Sequence, residues 1–167
     1  MPPLPFVETP IGRLWPLATA AGLVAIHRGP APANLPTDLD LTRSRAAERA
    51  LRRWFDGSLA SLGITLDLRD SSPFDRAVYA AVRSIPYGET ASYAEVALMV
   101  GHPGAARAVG SALARCEVSP VVPCHRVVHA DGSIGGWGSD LSSKRWLLER
   151  ETAALSRGPM LLSRDGA

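Results

Sequence analysis

The sequence predicts an α+β fold in two parts, residues 1–70 and 71–167, and three observations carry that expectation. The first part splits its apolar residues into short runs separated by Gly and Pro, as antiparallel strands do, and adds one amphipathic helical stretch. From Pro73 onward the apolar spacing becomes helical. Between the two lies the polar segment "RDSSP", which marks a boundary.

Each element follows from its own residues. "FVETPIGRLWPLATAAGLVAIHRG" holds two or three antiparallel strands, broken by Thr9-Pro10-Ile11-Gly12 and by Gly22. A loop, "GPAPANLPTD", leads to "SRAAERALRRWFDGS". There Ala47, Leu51, Trp54 and Phe55 share one helical face and Gly57 offers a stop. "ITLDL" alternates Ile64, Leu66 and Leu68 inward, which predicts a half-buried strand. In the second part Phe74, Val78, Val82 and Ile85 form an apolar stripe, with Ser72 as cap and Pro73 at the first helical position. Ser92 and Glu95 make a capping box for a helix over 92–100. "HPGA" turns the chain into a second helix over 105–115, rich in small residues. After the glycine-rich "DGSIGGWGSD", a last helix, "SSKRWLLERETAAL", takes Ser142 or Ser143 as its cap.

Composition narrows the classes. Hydrophobic content of 46% with 20% charge is globular, and no apolar run approaches the roughly 20 residues of a membrane span. The start, "MPPLPFVETP", has no basic and apolar leader pattern, and two cysteines make no disulfide framework; both features predict a cytoplasmic protein. A net charge of +2 neither requires nor excludes a nucleic-acid partner. All but one of the eighteen basic residues are Arg, the exception being Lys144; genomic composition accounts for such a bias, and no role is read from it.

The helices over 92–100 and 105–115 have the proportions of a helix–turn–helix, and equally of an ordinary helical hairpin. The second is unusual for major-groove readout, which needs several long polar side chains. It carries Ala105, Ala106, Ala108, Gly110 and Ala112, with Arg107 as the one long polar group in its first two turns. A smooth helix with a single Arg suits close approach to a narrower groove, with that Arg inserted into the base stack.

"PVVPCHRVV" sets Cys124, His125 and Arg126 in an apolar run. Cys124 reads as a small buried hydrophobe, as a zinc ligand with Cys116, His125 and His129, or as a nucleophile. The spacing matches no usual zinc motif. For a nucleophile, a neighbouring base or positive charge raises the thiolate fraction. His125 can take the proton if a third group orients its ring, and Glu151 or Glu149 on the last helix is the carboxylate at hand.

Five segments, "IPYGETASYAEVA", "ARAVGSALA", "VPCHRVV", "GSIGGWG" and "KRWLLERE", resemble in order and spacing the methylated-DNA–protein-cysteine methyltransferase family, the O6-alkylguanine-DNA alkyltransferases. The resemblance runs from "ETPIGRL" to about Ala154. It implies a ribonuclease-H-like N-terminal α/β part and a winged helix–turn–helix-like C-terminal part. By it, Cys124 is the alkyl acceptor, His125 its water-mediated base, and Glu151 the carboxylate that orients the histidine. Tyr93 assists phosphate rotation and guanine departure. Arg107 is the finger that replaces an extruded nucleotide, Ala105, Ala106 and Gly110 let the helix enter the minor groove, and Arg126 joins the DNA contacts. Trp137, Gly135, Gly136, Val127 and Ser119 wall the base pocket. The implied partner is double-stranded DNA carrying alkylated bases, O6-alkylguanine and less well O4-alkylthymine, bound by a monomer with no cofactor, no membrane and no obligate protein partner.

Two departures stand out. Many members have Asn-Pro where this chain has Cys116-Glu117, and a thiol substitutes poorly for an amide. Looser coupling between helix and site is the expectation there, and a Cys116–Cys124 disulfide is conceivable. Some members also bind zinc in the N-terminal part, but that half of this chain has no cysteine and only His27, so no comparable site is expected. The rival function is that of the alkyltransferase-like relatives, which recognise lesions with the nucleophile replaced; Cys124 argues against it. A transcriptional regulator on the same fold would need a further DNA-binding domain.

Overall fold

The computed structural model describes residues 2–135 and 140–156. They form two compact units, one running to Arg69 and the other opening at Asp70.

The first unit is a three-stranded antiparallel meander, β1 (Val7–Thr9), β2 (Gly12–Thr19) and β3 (Gly22–Arg28), with helix α1 (Leu41–Phe55) against it. Two-residue loops join the strands, pairing Thr9 with Gly12 and Thr19 with Gly22. Gly22 (φ +146°) has to be glycine, because a Cβ there would lie 2.6 Å from the Thr65 carbonyl oxygen. Asp40 caps α1, its carboxylate accepting from the Arg43 amide at 3.0 Å, and Gly57 takes a positive φ just beyond the helix. Ala47, Leu51 and Trp54 are buried as the spacing predicts, while Phe55 is half-buried. The segment predicted as a strand, Ile64 to Leu68, makes only one bridge, Leu23 to Leu66. Asp67 interrupts its apolar face: it is buried, accepts from the Thr19 hydroxyl at 2.6 Å and pairs with Arg69. A carboxylate that needs those partners leaves the chain no regular ladder to join.

The second unit is mostly helical: α2 (Pro73–Arg83), α3 (Tyr93–Met99), α4 (Ala106–Ala114) and α5 (Leu141–Ser156), with two short parallel strands, β4 (Ala91–Ser92) and β5 (Val127–Val128). Val78, Val82 and Ile85 are buried along α2, with Phe74 half-buried at its start. Two contacts tie α2 to the end of α4: the Tyr79 hydroxyl donates to the Ala112 carbonyl at 2.8 Å, and Arg115 forks onto Asp75 through two 2.9 Å bonds. Helices α3 and α4 pack on each other around a turn in which Gly101 and Gly104 take positive φ. Helix α5 begins two to three residues earlier than the serines predict. Asp140, not Ser142 or Ser143, is its cap, accepting from the Ser143 amide at 3.1 Å while both serine hydroxyls donate to the same carboxylate. A full negative charge at a helix start complements the dipole better than a hydroxyl does.

The capping box fixes where Tyr93 begins α3. The Ser92 hydroxyl accepts from the Glu95 amide at 3.0 Å and the Glu95 carboxylate accepts from the Ser92 amide at 2.6 Å. Ser92→Ala removes one half of that exchange and is expected to cost about 1 kcal/mol of stability, read as a lower urea midpoint with unchanged slope.

Candidate active site

Pairing of β4 with β5 sets Ala91 beside Val127 and Ser92 beside Val128. This brings Tyr93, the first residue of α3, alongside the single 3-10 turn Cys124–Arg126 that precedes β5. Helix α5 packs on the same turn. Three segments distant in sequence thus converge on Cys124.

At the centre is the Glu151 carboxylate, 1% exposed. It meets His125 Nε2 at 2.7 Å, accepts Arg126 Nε and Nη2 at 2.9 Å each, and accepts the Gly88 amide at 3.1 Å. Burial works against its charge, but the bonds from His125 and Arg126 outweigh that and hold Glu151 down at about 2. Since the carboxylate is ionised, the imidazole nitrogen facing it carries the proton, which leaves the buried Nδ1 as the basic nitrogen. His125 itself is completely buried, and burial lowers its pKa in spite of Glu151, so the ring is neutral at rest. Of the two carboxylates that sequence offered, Glu149 is exposed and Glu151 is the partner.

Cys124 is 3% exposed. The Cys116 sulfur beside it and burial push its thiol well above the ordinary range, while the Ser119 hydroxyl pulls it back in part. Cys116 moves the opposite way, lowered by Cys124. Resting chemistry is therefore a thiol next to a neutral imidazole, the reverse of the thiolate-favouring surroundings that the sequence led us to expect. The Cys116 sulfur and then desolvation disfavour the charged sulfur, and together they outweigh the Ser119 hydroxyl.

Tyr93 is half-buried and stands between two glycines. A Cβ on Gly110 of α4 would meet its ring at 3.8 Å, and one on Gly135 (φ +69°) would lie 2.9 Å from its hydroxyl. Burial, and secondarily Cys124, raise the Tyr93 phenol, which stays protonated as a donor. On α4, Ala105 and Ala106 are half-buried and Arg107 is exposed, with no side-chain hydrogen bond or ion pair among the described residues.

One expectation is corrected. Arg126, counted among DNA contacts, is 7% exposed and fully committed to Glu151 and, through Nη1, to the Ile85 carbonyl at 2.8 Å. It neutralises the carboxylate. The Ser119 side chain neighbours the Cys124 sulfur, and the Val127 amide donates to the Cys124 carbonyl. Gly136 and Trp137 lie outside the described residues. Sequence reasoning missed Lys144 of α5, whose completely buried ammonium donates to the Val127 carbonyl at 2.6 Å. The available signal was its being the only lysine in the chain. Among the described residues no group of three His, Cys, Asp or Glu side chains is arranged to hold a metal ion.

This geometry defines a buried thiol followed directly by a histidine that a carboxylate holds, on a unit that carries a helix–turn–helix. Residues 73–153 match the family model described as 6-O-methylguanine DNA methyltransferase, DNA binding domain. A methylated-DNA–protein-cysteine methyltransferase of Mycolicibacterium paratuberculosis is 49% identical over 105 residues, which span 63% of each chain. One from Methanosarcina barkeri is 36% identical over 149 residues, 87% of this chain and 94% of that one. The crystal structure of Mycobacterium tuberculosis OGT in complex with DNA superimposes with a TM-score of 0.77 at 37% identity, covering 89% of this chain and 92% of that one. The chain belongs to the methylated-DNA–protein-cysteine methyltransferase family.

The buried pair makes stability depend on pH. Unfolded histidine takes up a proton near pH 6.5, which folded His125 resists, so stability falls as pH drops below about 6.5. Glu151 adds stability that is whole above its unfolded pKa of about 4.3 and disappears as pH falls through about 2. A thermal-melt series should be level above pH 7 and decline from 6.5 to 5, with the decline reduced in His125→Asn. A level series down to pH 5 contradicts the assignment.

Proposed function

We propose that this protein repairs DNA by moving the alkyl group of O6-alkylguanine, and less well of O4-alkylthymine, onto Cys124. The observation that carries the reading is the Glu151–His125 pair, bonded at 2.7 Å and sealed from solvent next to that sulfur. O6 lies on the pairing edge of guanine, so the nucleotide has to leave the stack before sulfur can reach its alkyl carbon. Unstacking costs a few kcal/mol and least for a damaged, poorly paired base.

His125 Nδ1 takes the thiol proton, directly or through a water, and the imidazolium that forms rests on Glu151. The sulfur attacks the alkyl carbon in line; the S–C bond forms as the C–O6 bond breaks. Guanine leaves with the bonding electrons and receives a proton, for which the Tyr93 phenol is the nearby donor. The thioether has no group in the site able to cleave it, so each molecule acts once. Desolvation of the thiol suits this single use, because a sulfur that ionises only during reaction is spared unwanted alkylation.

The α4 helix supports DNA entry through the minor groove. Its first turns carry small residues and one unengaged Arg, a shape that permits close approach and a wedge in the vacated stack. The described residues contain no helix long and apolar enough to cross a membrane. A cytoplasmic monomer acting on double-stranded DNA, with no obligate protein partner, completes the reading.

An oligonucleotide with labelled O6-methylguanine tests it. Label should pass to the protein, saturate at about one per molecule and vanish in Cys124→Ala; transfer that survives the substitution rejects Cys124 as acceptor. Arg107→Ala should slow repair of duplex DNA by about tenfold or more while leaving reaction with free O6-benzylguanine within about twofold, as loss of a wedge worth a kcal/mol or more requires. Equal losses on both substrates reject the wedge.

A further inference from the structure

Lys144 has no part in the scheme above, yet its side chain is completely buried. An ammonium removed from water is unfavourable unless its surroundings compensate for it. Its Nζ donates to the Val127 carbonyl at 2.6 Å and lies 5.9 Å from the centre of the Tyr93 ring. Val127 opens β5 immediately after the nucleophile turn, so this bond holds α5 to the backbone that carries Cys124. Cys124 and His125 both feel the lysine charge.

The sequence supplies a second observation. A chain that uses arginine at every other basic position uses lysine here. The difference is chemical: a guanidinium is wide, forked and permanently charged, whereas an ammonium is compact and able to lose its proton when buried.

We propose that Lys144 is a positioning residue of this site: its ammonium pins the Val127 carbonyl and supplies the positive charge against which the Cys124 sulfur ionises. The proposal rests on the alkyl-acceptor reading of the same site, and deepens it. The titratable groups set against the ammonium are Cys124 and His125 of the turn and Tyr93 of α3. Among them, the ionised sulfur is the group that gains from a nearby cation, and neutral His125 is kept neutral by it. Burial brings Lys144 down to about 8, with Cys124 holding its proton on in part, so the cation persists at neutral pH.

A single lysine allows a direct test on the intact chain. Labelling with 15Nζ-lysine gives one side-chain signal, whose titration is followed in the native protein and in Cys124→Asp, which sets a carboxylate where the ionised sulfur would stand. The carboxylate should raise the midpoint by about one pH unit, the effect of a neighbouring opposite charge; an unmoved midpoint overturns the proposal. Carboxamidomethylation of Cys124 by iodoacetamide, resolved from Cys116 by peptide mass spectrometry, gives the reciprocal reading. Lys144→Gln keeps a donor for Val127 but no charge, and should slow labelling about tenfold at pH 7, with the loss shrinking as pH rises. Lys144→Arg restores the charge and should recover most of the rate. Unchanged labelling in Lys144→Gln, or equal slowing in both variants at every pH, overturns the charge role. If neither variant folds, the lysine titration alone decides. Neither measurement uses alkyl transfer, so a protein that takes no alkyl group from DNA yet passes both tests refutes the repair function and leaves the lysine assignment standing.

Discussion

The second unit depends on one carboxylate being able to stay ionised out of water. Glu151 is taken up by His125 Nε2, by the Arg126 fork and by the Gly88 amide, so it joins α5, the Cys124–Arg126 turn and the loop that follows α2 at a single point. Removing one partner of such a buried pair leaves a charge without compensation, typically about 3–5 kcal/mol. Orientation of the histidine and attachment of the helix are thus the same interaction. The protonation pattern follows from it: the nitrogen toward Glu151 holds a proton, and Nδ1 is the basic nitrogen of the ring.

The remaining contacts serve to bring this point up to a second element, the paired helices α3 and α4. Tyr93 is set by the capping box of its own helix, by register with β5 and by the room that Gly110 and Gly135 leave around its ring. The Asp75–Arg115 fork and the Tyr79–Ala112 bond fix the far end of α4. Cys116 follows that end directly, one residue past the C-cap Arg115, and its sulfur acts on Cys124. The end of α4 and Cys124 are therefore in contact through a second sulfur.

How much of this was legible in the sequence depended on whether local chemistry or tertiary pairing decided the outcome. The capping box at Ser92, proline at the start of α2 and the Ala47–Leu51–Trp54 face are local signals, and the structure places them as expected. Cys124 and His125 were visible as a candidate pair because they are adjacent. Their carboxylate could be narrowed only to two residues of one helix, since sequence does not tell which face of α5 turns inward. Arg126 was misread for the same reason: arginine suits a phosphate contact and a buried fork equally, and only the proximity of Glu151 decides. The strand predicted over Ile64–Leu68 failed because Asp67 entered the interior with partners 48 and 2 residues away, Thr19 and Arg69. Hydrophobic periodicity also gives no guide to α5, whose inward face holds Lys144 and Glu151 as well as Leu147 and Ala154.

That inward face has a consequence for how the segment can vary. Lys144, Leu147, Glu151 and Ala154 follow one another at intervals of three and four residues, so all four lie on one stripe of a single rigid rod. Each residue of an α-helix advances the stripe by about 100°. Inserting or deleting one residue between Lys144 and Glu151 would leave every side chain chemically intact while swinging one cation or one anion out into solvent. Point replacements on the outer surface of α5 are tolerable; changes of its length are not. The helix behaves as a ruler whose two charged marks must be read together.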